Sequence, residues 1–279
     1  MSRIPHVLLF DSGLGGLTVL SEVRKARPDA AFTYVADDAY FPYGALNPRR
    51  LVDRVVSLMG ELIAEHRPDM AVIACNTAST LVMAPLRAAY PRIEFVGTVP
   101  AIKPAAARSR SRLISVLATP GTVSRDYTRD LVRAHASECE VTLVGSHALA
   151  DLAERQIRGE EVCDAELIAE IAPCFVEVEG WRTDMVVLAC THYPLLARRF
   201  RQLAPWPVEW IDPAQAIARR VADLLATRLG FAEVGPQPQA RAGLIAFTSG
   251  QAPDAPLQKA LRQWALEPLS SDEDLRAIA

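Results

Sequence analysis

The sequence predicts an α/β fold of two pseudo-symmetric domains, each with a mostly parallel sheet flanked by helices. Three observations carry this. Apolar runs of strand length alternate with helical stretches along the whole chain. One stretch is written twice: Asp69–Cys75 reads D-M-A-V-I-A-C and Asp184–Cys190 reads D-M-V-V-L-A-C. Each copy breaks from apolar to polar at its cysteine, with Asn76 and Thr77 after the first and Thr191 and His192 after the second. Such uninterrupted apolar runs fit strands buried on both faces. Ligands bind beyond the carboxyl ends of strands in open α/β sheets. Two matched thiols facing one cleft follow from this.

The elements are expected in the following order. Val7–Phe10 is a strand, the turn D-S-G-L-G-G-L (Asp11–Leu17) follows, and a helix runs to about Ala26. Gly13, Gly15 and Gly16 do not make G-x-G-x-x-G, and no P-loop lysine follows. The glycines are read as letting backbone N–H groups approach a small ligand. Asp11 and Ser12 are alternatively helix caps. Phe32–Ala36 is a strand, and the loop Asp37–Asn47 holds F-P-Y-G, where Tyr43 is either a site hydroxyl or a packed aromatic. Arg49–His66 is a helix. The first cysteine strand and a helix from about Ser79, kinked at Pro85, come next. Phe95–Pro100 ends a strand, and Ala101–Ala107 is a short helix.

The run R-S-R-S-R (Arg108–Arg112) is read as a solvated linker opening the second half. Leu113–Ala118 is a strand, and its turn T-P-G-T-V echoes the Asp11 turn. A helix to about Ala134, a strand at Val141–Gly145 and helices at Ala148–Arg155 and Asp164–Val178 lead to the second cysteine strand. A helix opens at T-H-Y-P (Thr191–Pro194). Val208–Ile211 is a strand, and a helix from Pro213 runs to about Leu229. Phe231–Arg241 is a Pro/Gly-rich loop, Ala246–Gly250 a last strand, and S-S-D-E-D (Ser270–Asp274) a frayed tail.

Composition narrows the function. Half the residues are hydrophobic, 23% are charged and the net charge is −3. That gives no general reason to bind nucleic acid or an anionic membrane, and no apolar run approaches a membrane span. The N-terminus reaches a strand almost at once, which is too short for a signal peptide, so a cytoplasmic protein is expected. Five cysteines with no C-x-x-C argue against a disulfide framework or a zinc ribbon. Cys139, Cys163 and Cys174 are read as incidental thiols.

Each repeated cysteine precedes a helix start, whose positive end favours a thiolate. Three chemistries fit. Cys190 and His192 could form a nucleophile and base, which leaves Cys75 idle. Cys75, Cys190 and His192 could bind a metal. Or one thiolate removes a proton from a carbon while the opposite thiol delivers one, which uses both cysteines and needs no cofactor.

The motifs D-S-G-L-G-G-L, F-P-Y-G, A-C-N-T-A-S, G-T-V-P-A-I-K-P, A-T-P-G-T-V, A-C-T-H-Y-P and F-T-S-G occur in this order between Val7 and Gly250. In this the chain resembles the glutamate racemases of the cofactor-independent aspartate/glutamate racemase family. The resemblance implies a bacterial cytoplasmic enzyme, without metal or other cofactor, that interconverts L- and D-glutamate for peptidoglycan. It implies a homodimer, and domains at 1–97 with 210–279 and at 98–209. It assigns catalysis to Cys75 and Cys190, the first deprotonating the D-enantiomer and the second the L-enantiomer, with Asp11 and His192 assisting. Asp11, Ser12, Tyr43, Gly44, Asn76, Thr77, Thr191 and His192 match substrate-contacting positions, and Glu154 falls where a family glutamate lies near the cleft. Many members carry A-C-P shortly before that glutamate; this chain reads G-S-H at Gly145–His147. A relative acting on aspartate, or a binding protein without turnover, are the rival readings.

Overall fold

The structure is a computed structural model and describes residues 3–232 and 242–269. Most of the expected loop at Phe231–Arg241, and the tail Ser270–Asp274, lie outside the described residues.

The first half runs β1 (His6–Asp11), α1 (Leu17–Ala26), β2 (Ala31–Ala36), α2 (Pro48–His66), β3 (Met70–Ile73), α3 (Asn76–Ala89) and β4 (Glu94–Gly97). α4 (Ile102–Arg108) leads into β5 (Leu113–Ala118), the single turn α5 (Pro120–Val123), α6 (Asp126–His135), β6 (Glu140–Gly145), α7 (Leu149–Ile157) and α8 (Asp164–Ile171). A small antiparallel hairpin of β7 (Glu177–Val178) and β8 (Trp181–Arg182) precedes β9 (Met185–Ala189), α9 (Tyr193–Leu203) and β10 (Glu209–Ile211). α10 (Ala214–Thr227), β11 (Gly243–Phe247), α11 (Ala255–Gln263) and β12 (Leu266–Pro268) close the described chain.

Two parallel sheets result. One has the order β12-β11-β2-β1-β3-β4 and the other β10-β9-β5-β6. Laid over one another, β2-β1-β3-β4 and β6-β5-β9-β10 have the same order, so the sequence repeat is also a repeat of topology. The two aspartates that open the repeated motif do the same work. Asp69 Oδ2 accepts from His6 N at the start of β1, and Asp184 Oδ2 accepts from Arg110 N and Ser111 N just before β5. The Arg108–Arg112 run is thus anchored to Asp184 at Ser109, Arg110 and Ser111, while its three arginines are exposed as expected of a solvated linker. β10 spans the expected boundary between residues 209 and 210 and pairs with β9.

Each sheet is buried on both faces, as the apolar runs require. Val7 and Leu9 face α1 and α10 through Leu20, Val221 and Leu225, whereas Leu8 and Phe10 face α2 and α3 through Leu58 and Leu86. In the second sheet Val186 and Leu188 meet Leu152, Leu196 and Phe200, and Val116 and Val187 meet Ile102 and Ala105. Each such aliphatic side chain contributes about 1.5–3 kcal/mol of transfer free energy.

Several expectations are corrected. α3 starts at Asn76, not near Ser79, because Cys75 takes an extended conformation (φ −67°, ψ 121°) and the chain turns helical immediately after it. Pro85 lies inside α3, which continues to Ala89. The stretch expected as one helix to Ala134 divides at Ser124 into α5 and α6. α8 ends at Ile171, well short of Val178, where Pro173 interrupts it. β11 begins three residues before Ala246 and is not the last strand, since α11 and β12 follow it.

Candidate active site

The carboxyl ends of β1 and β3 in one sheet meet those of β5 and β9 in the other. Asp11, at the tip of β1, is fully buried. Its Oδ1 accepts from Gly13 N (3.1 Å) and Ser12 Oγ (3.2 Å), and its Oδ2 accepts from Thr191 Oγ1 (2.8 Å) of the opposite half. Burial pushes the Asp11 carboxyl above the usual carboxylate range, against the pull of His192 and these donors. Neither Asp11 nor Ser12 caps α1, whose N-cap position is Gly16.

Cys75 ends the run after β3 and is 5% exposed; Ser12 Oγ lies 3.7 Å from its Sγ. Its thiol is pushed far above the ordinary cysteine value, chiefly by burial and then by the Asp11 charge. Cys190 also adds to the rise, so the two thiols lie within each other's electrostatic reach. The α3 amino end, with the Ala78 N–H, opposes this but does not win. The expectation of a favoured thiolate thus fails for Cys75.

Cys190, 6% exposed, lies 3.8 Å from His192 Nδ1. His192 Nε2 lies 2.9 Å from Glu154 Oε1. Burial lowers the His192 pKa, but Cys190 and Glu154 more than reverse it, and the imidazole titrates well above its usual range. Burial alone would raise Glu154; the His192 hydrogen bond holds it below the usual carboxylate range. Glu154 thus sits in the site despite the divergent run before it, and its Oε1 also accepts from Leu14 N at 2.6 Å. Gly15 N points at His192 Nε2 from 3.2 Å. Of the N–H groups in this turn, those of Leu14 and Gly15 thus meet side chains of the opposite half, while that of Gly13 meets Asp11. The glycines are required by that approach. A Cβ on Gly13 would fall on Glu154 Oε1, and one on Gly15 would stand 2.6 Å from His192 N.

Around this core, Thr77 Oγ1 lies 2.9 Å from Thr119 Oγ1 and 3.3 Å from Thr122 Oγ1. Thr119 and Thr122 were not singled out from the sequence, although the T-P-G-T turn echoes the Asp11 turn and its strand β5 is the counterpart of β1. The Asn76 side chain is 3% exposed, and neither Oδ1 nor Nδ2 has a hydrogen-bond partner among the described residues. A buried amide left unpaired costs about 1–3 kcal/mol, so this group calls for a ligand. Gly44 packs against Thr119; a Cβ there would stand 3.0 Å from Thr119 Cβ. Tyr43 is buried, and its hydroxyl donates to Asp37 Oδ2 (2.5 Å) rather than standing free in the site. The hydroxyl of Tyr34, on β2, donates to Gly13 O at 2.7 Å.

All five cysteines are free, and among the described residues no three His, Cys, Asp or Glu side chains form a metal-binding group. No described helix is long and apolar enough to cross a membrane.

The model of the Asp/Glu/Hydantoin racemase family matches residues 18–221. The glutamate racemase of Sinorhizobium medicae is 57% identical over 95% of this chain and 96% of its own length. That of Brucella anthropi is 62% identical over 80% of each chain. The crystal structure of Escherichia coli glutamate racemase in complex with L-glutamate and the activator UDP-MurNAc-ala superposes with a TM-score of 0.84. It is 36% identical, covering 96% of this chain and 98% of that one.

Proposed function

The chain belongs to the Asp/Glu/Hydantoin racemase family and within it to the glutamate racemases, and from that premise we propose that it inverts glutamate by two-base proton transfer between Cys75 and Cys190. The observation that carries the reading is the matched placement of the two thiols. Each follows the equivalent strand of a repeated sheet, and the groups beside them are joined across the halves by the Asp11–Thr191 hydrogen bond.

In the L-to-D direction the Cys190 thiolate takes the α-proton and the Cys75 thiol gives its proton to the opposite face of the carbanion. The reverse direction exchanges the roles. Burial and Asp11 favour the protonated form of Cys75, which suits it to donate first. His192, fixed by Glu154, stands beside Cys190 on the other face. The carbanion needs preorganised donors around the substrate carboxylates. We assign this to Ser12, Asn76, Thr77, Thr191 and the backbone at Gly44. Tyr43 serves as the buried anchor of that backbone. The acid and base are side chains, so no cofactor enters the reaction.

We further take the enzyme to be a cytoplasmic homodimer that supplies D-glutamate for peptidoglycan. Its domains divide near residues 97 and 210, with β10 kept in the second. The test is circular dichroism of L-glutamate incubated with protein dialysed against chelator. Decay of the signal to zero is expected with glutamate and not with aspartate. Activity that returns only with pyridoxal phosphate or metal, or racemisation of aspartate alone, defeats the reading.

A further inference from the structure

Asp37, just beyond β2, is completely buried and takes no part in the proton transfer proposed above. Its carboxylate is nevertheless saturated with donors from three separate elements. Oδ1 accepts from Arg54 Nη2 (2.7 Å) and Thr248 Oγ1 (2.6 Å), and Oδ2 accepts from Tyr43 O–H (2.5 Å) and Arg54 Nε (3.2 Å). Arg54 comes from α2, Thr248 follows β11, and Tyr43 belongs to the F-P-Y-G turn. Neighbouring contacts tighten the same loop: Arg54 lies over the Tyr40 ring at 4.5 Å, and Asp38 Oδ2 accepts from Ser249 Oγ at 2.6 Å.

Alongside Thr77, the clamped turn touches the second half at the threonine cluster. A Cβ on Gly121 would lie 3.1 Å from Gly44 O, so the two backbones are already in contact. The Tyr43 phenol stands close enough to Cys75 for a thiolate there to help hold its proton on. A buried carboxylate with four charge-assisted or hydroxyl donors is rigid, because removing any donor leaves charge unsatisfied.

We propose that Asp37 is a positioning residue: by holding Arg54, Thr248 and Tyr43 together it fixes the Phe41–Gly44 turn against Thr119 and Gly121, and so sets how tightly the site grips its substrate. The inference rests on the reading that glutamate binds between Cys75 and Cys190. Asp37 meets neither thiol in a hydrogen bond, so its loss acts on binding more than on proton transfer, and equally for both enantiomers.

The experiment measures kcat and KM for L- and D-glutamate in Asp37→Asn, Thr248→Val, Tyr43→Phe and the Asp37→Asn/Tyr43→Phe pair, with thermal melts alongside. Asp37→Asn is expected to raise KM for both enantiomers roughly tenfold while kcat moves less than about threefold. The pair should be no worse than Asp37→Asn alone, since both act through one contact. Thr248→Val, a milder change, should raise KM a few-fold and decides the matter if Asp37→Asn does not fold. A lower melting temperature with KM within twofold of the parent in the folded variants overturns the proposal, as does a fall in kcat alone. A parent protein that does not racemise glutamate would instead defeat the proposed function, so the two failures are distinguishable.

Discussion

Thr191 Oγ1 donates to Asp11 Oδ2 across 2.8 Å, and this bond joins the residue after one cysteine to the carboxylate that raises the pKa of the other. Each half of the site is thus completed by the other. The next contacts cross in the same way, from Glu154 to Leu14 N and from Thr77 to Thr119. If glutamate binds between the thiols as proposed, both halves hold it at once, and they are interdependent for chemistry although each has its own core.

Loss of either thiol should abolish racemisation. Cys75→Ala and Cys190→Ala are each expected to lower turnover by at least about 10²-fold, because a positioned acid–base group contributes roughly 10²–10⁴. The serine variants should do nearly the same, since an alcohol is a far weaker acid. Cys190→Ser should still eliminate a leaving group from D-glutamate analogues and Cys75→Ser from L-analogues. In heavy water, early product should carry deuterium at Cα while remaining substrate stays largely unlabelled. Two serine variants acting on the same enantiomer would defeat the assignment.

Asp11→Asn should make Cys75 easier to ionise, because the Asp11 charge is the second cause of its raised pKa after burial. The pH profile of alkylation at Cys75, followed by mass spectrometry, should shift to lower pH. Turnover should nevertheless fall, because Thr191 and Ser12 lose a charged partner. An unchanged profile would rule out the charge as the cause.

The His192–Glu154 pair predicts a window in the pH dependence of stability. His192 is raised above its unfolded value, so its contribution is complete below about pH 6.5 and is lost as pH rises through the higher folded value. Glu154 is lowered, so its contribution is complete above about pH 4.5 and is lost as pH falls through the lower folded value. Both therefore stand in full between about pH 4.5 and 6.5. Glu154→Gln should cost roughly 1–3 kcal/mol in that window and bring the alkaline loss to lower pH. Melting temperatures of parent and variant across pH check this; parallel curves would contradict it.

Two glycines should behave differently when changed to alanine. Gly15→Ala places a methyl against His192 and should both destabilise the protein by about 1–3 kcal/mol and strip its activity. Gly159, at φ +78° with nothing within 4 Å, should cost about 1–2 kcal/mol from backbone strain alone and leave turnover intact. Denaturant melts with racemisation assays separate the two. Equal activity losses would show that the turn does not need its close approach to His192.

Much of this was legible locally. The parallel class followed from apolar runs such as Leu113–Ala118, because a strand covered on both faces leaves no polar alternation. The pair Cys75 and Cys190 followed from the repeated D-M-x-V-x-A-C, because duplicated strands end at equivalent places. The flanking Asn76, Thr77, Thr191 and His192 were found with them, since they follow those strand ends directly in sequence.

What only the tertiary structure decided is the set of partners far apart in the chain. Nothing near Asp37 shows that Arg54 and Thr248 will converge on it, and nothing near Glu154 names Leu14 and His192 as its partners. The sheet order had the same status, since a strand's own residues do not say which neighbour it pairs with. The direction of the Cys75 shift was equally hidden. A helix start in the sequence argues for the thiolate, but burial and the Asp11 carboxylate oppose it. Both arise only when β1 and β3 lie side by side, because desolvation and charge act through space and not along the chain.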